Sequence, residues 1–247
     1  MAGKKDTPIS KYCVTAGWDA APHLDEKTKA DLLAEIPPYQ REARSKGIPT
    51  LGSGAIYPIG EDDFVTKAFE LPEHWPRAYG LDIGWNRTAC IWGARDRDTD
   101  TVYFYAEHYG SRMDAAENAR YIRAKGDWIP GVVDPAARGR GQADGAQLLQ
   151  NYLDQGLDIE PADNSVESGI DLVWMRLVSG RLKVFSHLHN WINEFRKYRR
   201  DDKGRIVKRD DHAQDAGRYL IVSGVERMKT NIRKQYQPTR GNRIFAG

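Results

Sequence analysis

The chain has 247 residues, 40% of them apolar, and a formal net charge of +2, which suits one sizeable domain with appendages. No stretch approaches the roughly 18 apolar residues of a membrane span, the start lacks the apolar core of a signal peptide, and no repeat or low-complexity tract shows itself. The two cysteines, Cys13 and Cys90, lack metal-ligand spacing and fit a cytosol-like compartment.

The first part is polar and thin in apolar residues. "LDEKTKADLLAEI" (24–36) places Leu24, Leu32, Leu33 and Ile36 at roughly helical spacing, and "PPYQREARSKGIP" (37–49) predicts a second short helix between prolines. That is too little apolar surface for an independent domain, so the segment reads as the end of something larger or as a packed arm. "LGSGAIYPIGEDD" (51–63) then reads as a glycine-rich hinge.

From Tyr79 onward the pattern is dense. "AYGLDIG" (78–84) and "TACIWGARD" (88–96) predict a hairpin turning at "WNR", and "TVYFYAEHYG" (101–110) a third strand. A helix at 112–126, a short strand at 130–136, a helix at 143–156 and a strand at 157–162 follow. After them come a helix at 165–180, a strand at 182–185, a helix at 189–199, a polar hairpin at 199–209 and a closing helix at 210–225. Three hairpin-connected strands followed by alternating helices and strands predict an α/β mixed sheet, antiparallel first and parallel later, with helices on both faces. In such sheets, sites collect at the strand ends.

Charge is unevenly spread. Between Arg176 and Arg209, Arg181, Lys183, Arg196, Lys197, Arg199, Arg200, Lys203, Arg205 and Lys208 face only Glu194, Asp201 and Asp202, and "RMKTNIRKQYQPTRGNR" (227–243) is basic again. Such stretches suit a polyanion, and equally suit a solvated face or solubilising tail.

Acids stand at three stations: Asp82 inside the first strand, Asp134 at the end of the fourth, and Asp211 and Asp215 one turn apart on the closing helix. Singly, each has a structural explanation. Asp82 could bond a neighbouring turn, Asp134 could open a turn before Pro135, Asp210 and Asp211 stand where a helix cap belongs, and His212 suits the surface of a first turn. Together, buried carboxylates would repel one another unless protons or a cation relieve them. Hard oxygen ligands favour Mg²⁺ or Mn²⁺, and two such ions about 4 Å apart can activate a water and stabilise the leaving oxygen of a phosphodiester.

The order "GLDIG", "VVDPA", "DDHAQDAGRY", together with "DPAARGRGQADG", "SGRLKVF" and the early segment 22–49, resembles the ribonuclease H-like nuclease domain of the large terminase subunit of tailed bacteriophages, roughly from Val14 to Gly224. The resemblance implies a metal-dependent DNA endonuclease that cuts concatemeric viral DNA during packaging. It implies Asp82, Asp134 and Asp215 as catalytic metal ligands for two ions, with Asp211 or His212 as a further ligand; Asp211 ranks below those three and above His212 and Asp210. Arg138 and Arg140 would touch phosphate near the metals, and Arg199, Arg200, Lys203, Arg205 and Lys208 would flank the cleft. Implied partners are double-stranded DNA, a packaging ATPase domain, the small terminase subunit and the portal or procapsid, in the host cytoplasm and without a membrane. Residues 1–55 would form the link from an ATPase region, 56–228 the nuclease domain and 229–247 a basic tail.

No Gly-Lys-Ser/Thr phosphate loop occurs, so no ATP hydrolysis is expected and the chain reads as an isolated C-terminal part. Resolvase and transposase cores share the acidic stations. "LDIGWNRTACIWGA" also resembles the first phosphate loop of actin-like kinases, whose second domain has no counterpart here. A catalytically idle DNA-binding or docking module, with acids only capping helices, is the alternative of another class.

Overall fold

The computed structural model describes residues 17–21, 23–35, 45, 54–84, 86–134, 144–201 and 203–231. The chain divides into two units, residues 1–54 and 55–247. In the first, a 3-10 turn at Trp18–Ala20 precedes helix α1, Glu26–Glu35. Asp25 starts that helix by accepting the Thr28 N–H at 2.7 Å, which satisfies one of its orphan donors. The second short helix expected at 37–49 lies outside the described residues apart from residue 45.

The second unit is built on a seven-stranded mixed sheet. In chain order it contains α2 (Glu61–Phe64), β1 (Val65–Thr66), β2 (Arg77–Asp82), β3 (Thr88–Asp96) and β4 (Thr101–Gly110). There follow α3 (Ala115–Ala124), β5 (Gly131–Val133), α4 (Asp144–Asp154), β6 (Ile159–Pro161), α5 (Val166–Val178), β7 (Leu182–Phe185) and α6 (His189–Lys197). Helix α7 (His212–Tyr219) runs through a π-helical turn, Leu220–Gly224, into Val225–Arg227. The strand order is β1-β7-β4-β3-β2-β5-β6, antiparallel across β2, β3 and β4, with β5, β6, β7 and β1 joined in parallel. This is the expected ribonuclease H-like arrangement.

Strand alternation sorts the two faces. Tyr79 and Leu81 of β2, with Cys90 and Trp92 of β3, pack against Ala119 and Ile122 of α3 and Leu149 and Tyr152 of α4 in one core cluster. The intervening residues, Gly80 and Asp82, therefore turn to the opposite face, where α7 lies.

Two local expectations differ from the structure. The stretch expected as a hinge ends inside the second unit: Ile56 and Tyr57 are buried, and the Tyr57 ring stacks on Phe195 of α6 with centroids 6.0 Å apart. Apolar side chains so close to an aromatic helix face bury themselves rather than swing. Among the described residues the polar hairpin reduces to one bridge, Arg200 to Ile206, because the Asp201 carboxylate takes the Lys203 and Arg205 N–H groups, both at 2.9 Å. Local side-chain bonds of this kind compete with a strand ladder. Among the described residues, no helix is long and apolar enough to cross a membrane.

Candidate active site

Parallel pairing brings the two strand acids together. Leu81 of β2 is paired with Val133 of β5, so Asp82 and Asp134 both follow at the carboxyl ends of neighbouring strands. The Asp134 N–H donates to Leu81 O at 3.0 Å, fixing that register.

Helix α7 supplies the third station because it lies unusually close to β2. A Cβ at position 80 would stand 2.0 Å from Ala216 O, so only glycine admits the helix there. The helix answers with small residues: Ala213 and Ala216 are fully buried, and a Cβ at Gly217 would meet Trp191 Nε1 at 2.8 Å. This seating sets the start of α7 beside Asp82. His212 Nδ1 lies 2.8 Å from Asp82 Oδ2.

Asp211 and Asp215 share a face, as their spacing predicts. The Lys208 ammonium lies 3.2 Å from Asp215 Oδ2 and 3.3 Å from Asp211 Oδ2. Arg218, itself buried, holds the other oxygen of Asp215 at 3.0 Å and lies 4.6 Å above the Tyr219 ring. Asp211 Oδ2 is buried, with the Lys208 ammonium as its charged partner. Asp210 is half exposed and paired with Lys197 at 3.7 Å.

The electrostatics register the convergence. Burial pushes the Asp82 carboxyl up, the His212 hydrogen bond pulls it down, and the charges of Asp215 and Asp134 raise it further. The His212 imidazole is raised, first by its bond to Asp82 and against its own burial. Burial lifts the Tyr219 phenol, and Asp215, Asp134 and Asp82 all add to it, so one ring feels all three acids. Among the described residues, no three His, Cys, Asp or Glu side chains form a ready ion cage. His212, Lys208 and Arg218 hold the acids instead.

Two glutamates that do not stand out in the sequence build the scaffold, half-buried Glu107 and buried Glu194. Glu107 of β4 accepts the N–H groups of Asn190 and Trp191, both at 3.0 Å, capping α6 from the sheet. Glu194 of α6 in turn accepts the N–H groups of Ala213 and Gln214, at 2.6 and 3.2 Å, capping α7, while Tyr109 Oη donates to its other oxygen. Burial raises the Glu194 carboxyl against these three donors. The caps come from far along the chain, because Leu188 and Asp211, at the two cap positions, make no side-chain cap bond.

The cations expected to contact DNA are partly committed elsewhere. Arg200 Nη1 donates to Glu167 at 3.0 Å, Arg205 pairs with Asp201, and Lys208 bridges Asp211 and Asp215. Arg199 and Lys203 are exposed, and Arg138 and Arg140 lie outside the described residues.

A mixed sheet of this order, with acids at the ends of two adjacent parallel strands and on a helix laid across them, defines a ribonuclease H-like domain of nuclease type. The chain belongs to the family of terminase ribonuclease H-like domains, whose model matches residues 79–223. The large terminase subunit of Salmonella phage P22 is 34% identical over 228 residues, covering 88% of this chain and 45% of that protein. That of Enterobacteria phage LP7 is 34% identical over 212 residues, covering 82% of this chain and 44% of its own. The chain thus spans about half the length of these curated relatives. The solved nuclease domain of the P22 large terminase superposes with a TM-score of 0.69 at 31% identity, covering 76% of this chain and all of that one. The family match separates the chain from the resolvase and transposase cores that carry similar acids.

Proposed function

We propose that this domain is the nuclease of a DNA-packaging terminase, an endodeoxyribonuclease that cuts concatemeric viral DNA by metal-dependent phosphodiester hydrolysis. One observation carries the reading: at the carboxyl ends of β2 and β5, Asp82 feels the charges of Asp134 and Asp215, and Tyr219 feels those of all three, although they come from three separate elements. Capping alone would not require this, since α7 is already capped by Glu194.

The residues fit Mg²⁺ or Mn²⁺. The donors are hard carboxylate oxygens, mutually repulsive in part, and the buried Asp211 oxygen is met by the exposed Lys208 ammonium at 3.3 Å, a cation that an ion could displace. When bound, a pair of such ions supplies a lowered pKa for the attacking water and charge stabilisation at the departing oxygen. Asp82 and Asp134 would hold ions from rigid strand ends, and Asp215, with Asp211, from the helix. Arg218 keeps one Asp215 oxygen occupied and so directs the other toward the site. His212 does the same for Asp82. Exposed Lys208 supplies positive charge to Asp211 and Asp215 from a flexible stem that can withdraw.

In this reading residues 1–55 lead from a packaging ATPase domain, 56–228 form the nuclease and 229–247 a basic tail. The assembled machine would work with a small terminase subunit and a portal or procapsid in the host cytoplasm. The test is nicking of supercoiled plasmid by the chain with Mn²⁺, Mg²⁺ or EDTA. Cleavage with either metal and none in EDTA supports the proposal, and undiminished cleavage in EDTA contradicts it.

A further inference from the structure

Across the sheet, Asp82 of β2 is paired with Ala89 of β3, and Ala89 with Tyr109 of β4. Directly opposed residues share a face, so Tyr109 stands in the same row as Asp82, two strand spacings or roughly 10 Å away. Over its ring lies a guanidinium: Arg87 Cζ is 4.9 Å from the Tyr109 centroid.

We infer that Arg87 is a DNA phosphate contact, its guanidinium seated on Tyr109 to grip a backbone phosphate flanking the one cut at the acids. This rests on the nuclease reading and extends it to how the duplex is held.

The arrangement is built from several sides. The turn that carries Arg87 is closed by Thr88 Oγ1 donating to Gly84 O and tied to the end of β4 by Ser111 Oγ donating to Asn86 O, both at 3.2 Å. It is tight enough that a Cβ at Gly84 would stand 2.7 Å from Arg87 O. The ring beneath is pinned by its hydroxyl to Glu194, which also caps α7, so the cation is anchored to the same scaffold as Asp215. Arg87 is exposed, and among the described residues no carboxylate pairs with it. Arg200, Arg205 and Lys208, by contrast, each engage an acid. A guanidinium lying on a ring keeps its edge donors in a planar fork that matches phosphate oxygens. Contacts of this kind position a duplex without reading its sequence.

The test is equilibrium binding of a short labelled duplex to the whole chain, by fluorescence anisotropy in EDTA, over a salt series from about 50 to 200 mM. Arg87→Ala is expected to flatten the log K against log salt slope by about 0.9, so that its affinity deficit shrinks about eightfold per tenfold rise in salt. Arg87→Lys should keep the slope, Arg87→Glu should exceed the alanine loss, and all three should melt as wild type does. In Mn²⁺-dependent plasmid nicking, Arg87→Ala should raise KM with kcat little changed. An Arg87→Ala protein with wild-type slope and affinity overturns the contact, as does a wild type that does not bind duplex. Nicking by wild type and Arg87→Ala at equal KM removes the contact and leaves the nuclease standing. Arg87-dependent binding by a wild type that never nicks supports the contact and removes the nuclease reading.

Discussion

Replacing Gly80 with alanine tests whether α7 is seated on the bare backbone of β2. The added Cβ would fall 2.0 Å from Ala216 O and 2.9 Å from Leu220 N. To restore ordinary van der Waals separation, the helix must retreat by more than about 1 Å. Overpacking costs about 1–3 kcal/mol, and the upper end or beyond applies here because the obstructing atoms are backbone and have no rotamer to escape into. For a domain of this size, about 3 kcal/mol lowers the melting temperature by roughly 6–12 °C. The same retreat carries Asp215 and His212 away from Asp82, and a misplacement near 1 Å can cost on the order of 100-fold in rate. Urea unfolding followed by tryptophan fluorescence measures the first effect, and plasmid nicking well below the melting temperature measures the second. A Gly80→Ala protein with the wild-type urea midpoint would refute the close seating. One that is destabilised yet cleaves at the wild-type rate would refute the link from that seating to the site.

Glu194→Ala strips the acceptor from two helix N–H groups in a buried setting and should cost about 2–4 kcal/mol in urea unfolding, with Glu194→Gln losing less because an acceptor oxygen remains. Equal losses in the two variants would contradict the capping role. Lys208→Ala removes the ammonium shared by Asp211 and Asp215, so added Mn²⁺ should raise the melting temperature more than in wild type; identical shifts would show that the lysine does not compete with the ion. Burial raises the Asp100 carboxyl, but Arg176, Arg95 and Arg181 outweigh it and hold it below the ordinary range. A depressed carboxyl stabilises above its unfolded pKa of about 3.9 and loses that stabilisation as pH falls through the lower folded value. Asp100→Asn should therefore be less stable than wild type at neutral pH, by on the order of 1 kcal/mol, with the gap closing as pH falls below the unfolded pKa of about 3.9. Urea unfolding at the two pH values checks it.

The strands of the central hairpin were legible in the sequence because their apolar runs are long and bounded by turns, and Asp82 stood out as a charge within such a run. Asp134, Asp211 and Asp215 were legible as positions at element ends. Their partners were not. Glu107 and Glu194 look like ordinary surface acids in β4 and α6, and the N–H groups they satisfy lie 83 and 19 residues away at nearest. Arg200 reads as a cation for DNA until Glu167, 33 residues back, is brought to it by α5. Gly80 reads as a weak strand residue, since nothing local records that a helix 136 positions on will rest there, from Gly80 to Ala216. Strand β1, two residues long, carries no period at all and exists because β7 offers it an edge.

In the proposed nuclease, Asp82 sits in the sheet to hold metal for cleavage. Calorimetric titration with Mn²⁺ and Mn²⁺-dependent plasmid nicking, on wild type and Asp82→Asn side by side, test it most directly. Wild type should bind Mn²⁺ and cut. Asp82→Asn should melt no lower than wild type, because a buried charge repelled by Asp215 and Asp134 is gone, while Mn²⁺ binding weakens and cleavage falls by about 100-fold or more. An Asp82→Asn protein that binds Mn²⁺ and cuts plasmid as wild type does would contradict the account.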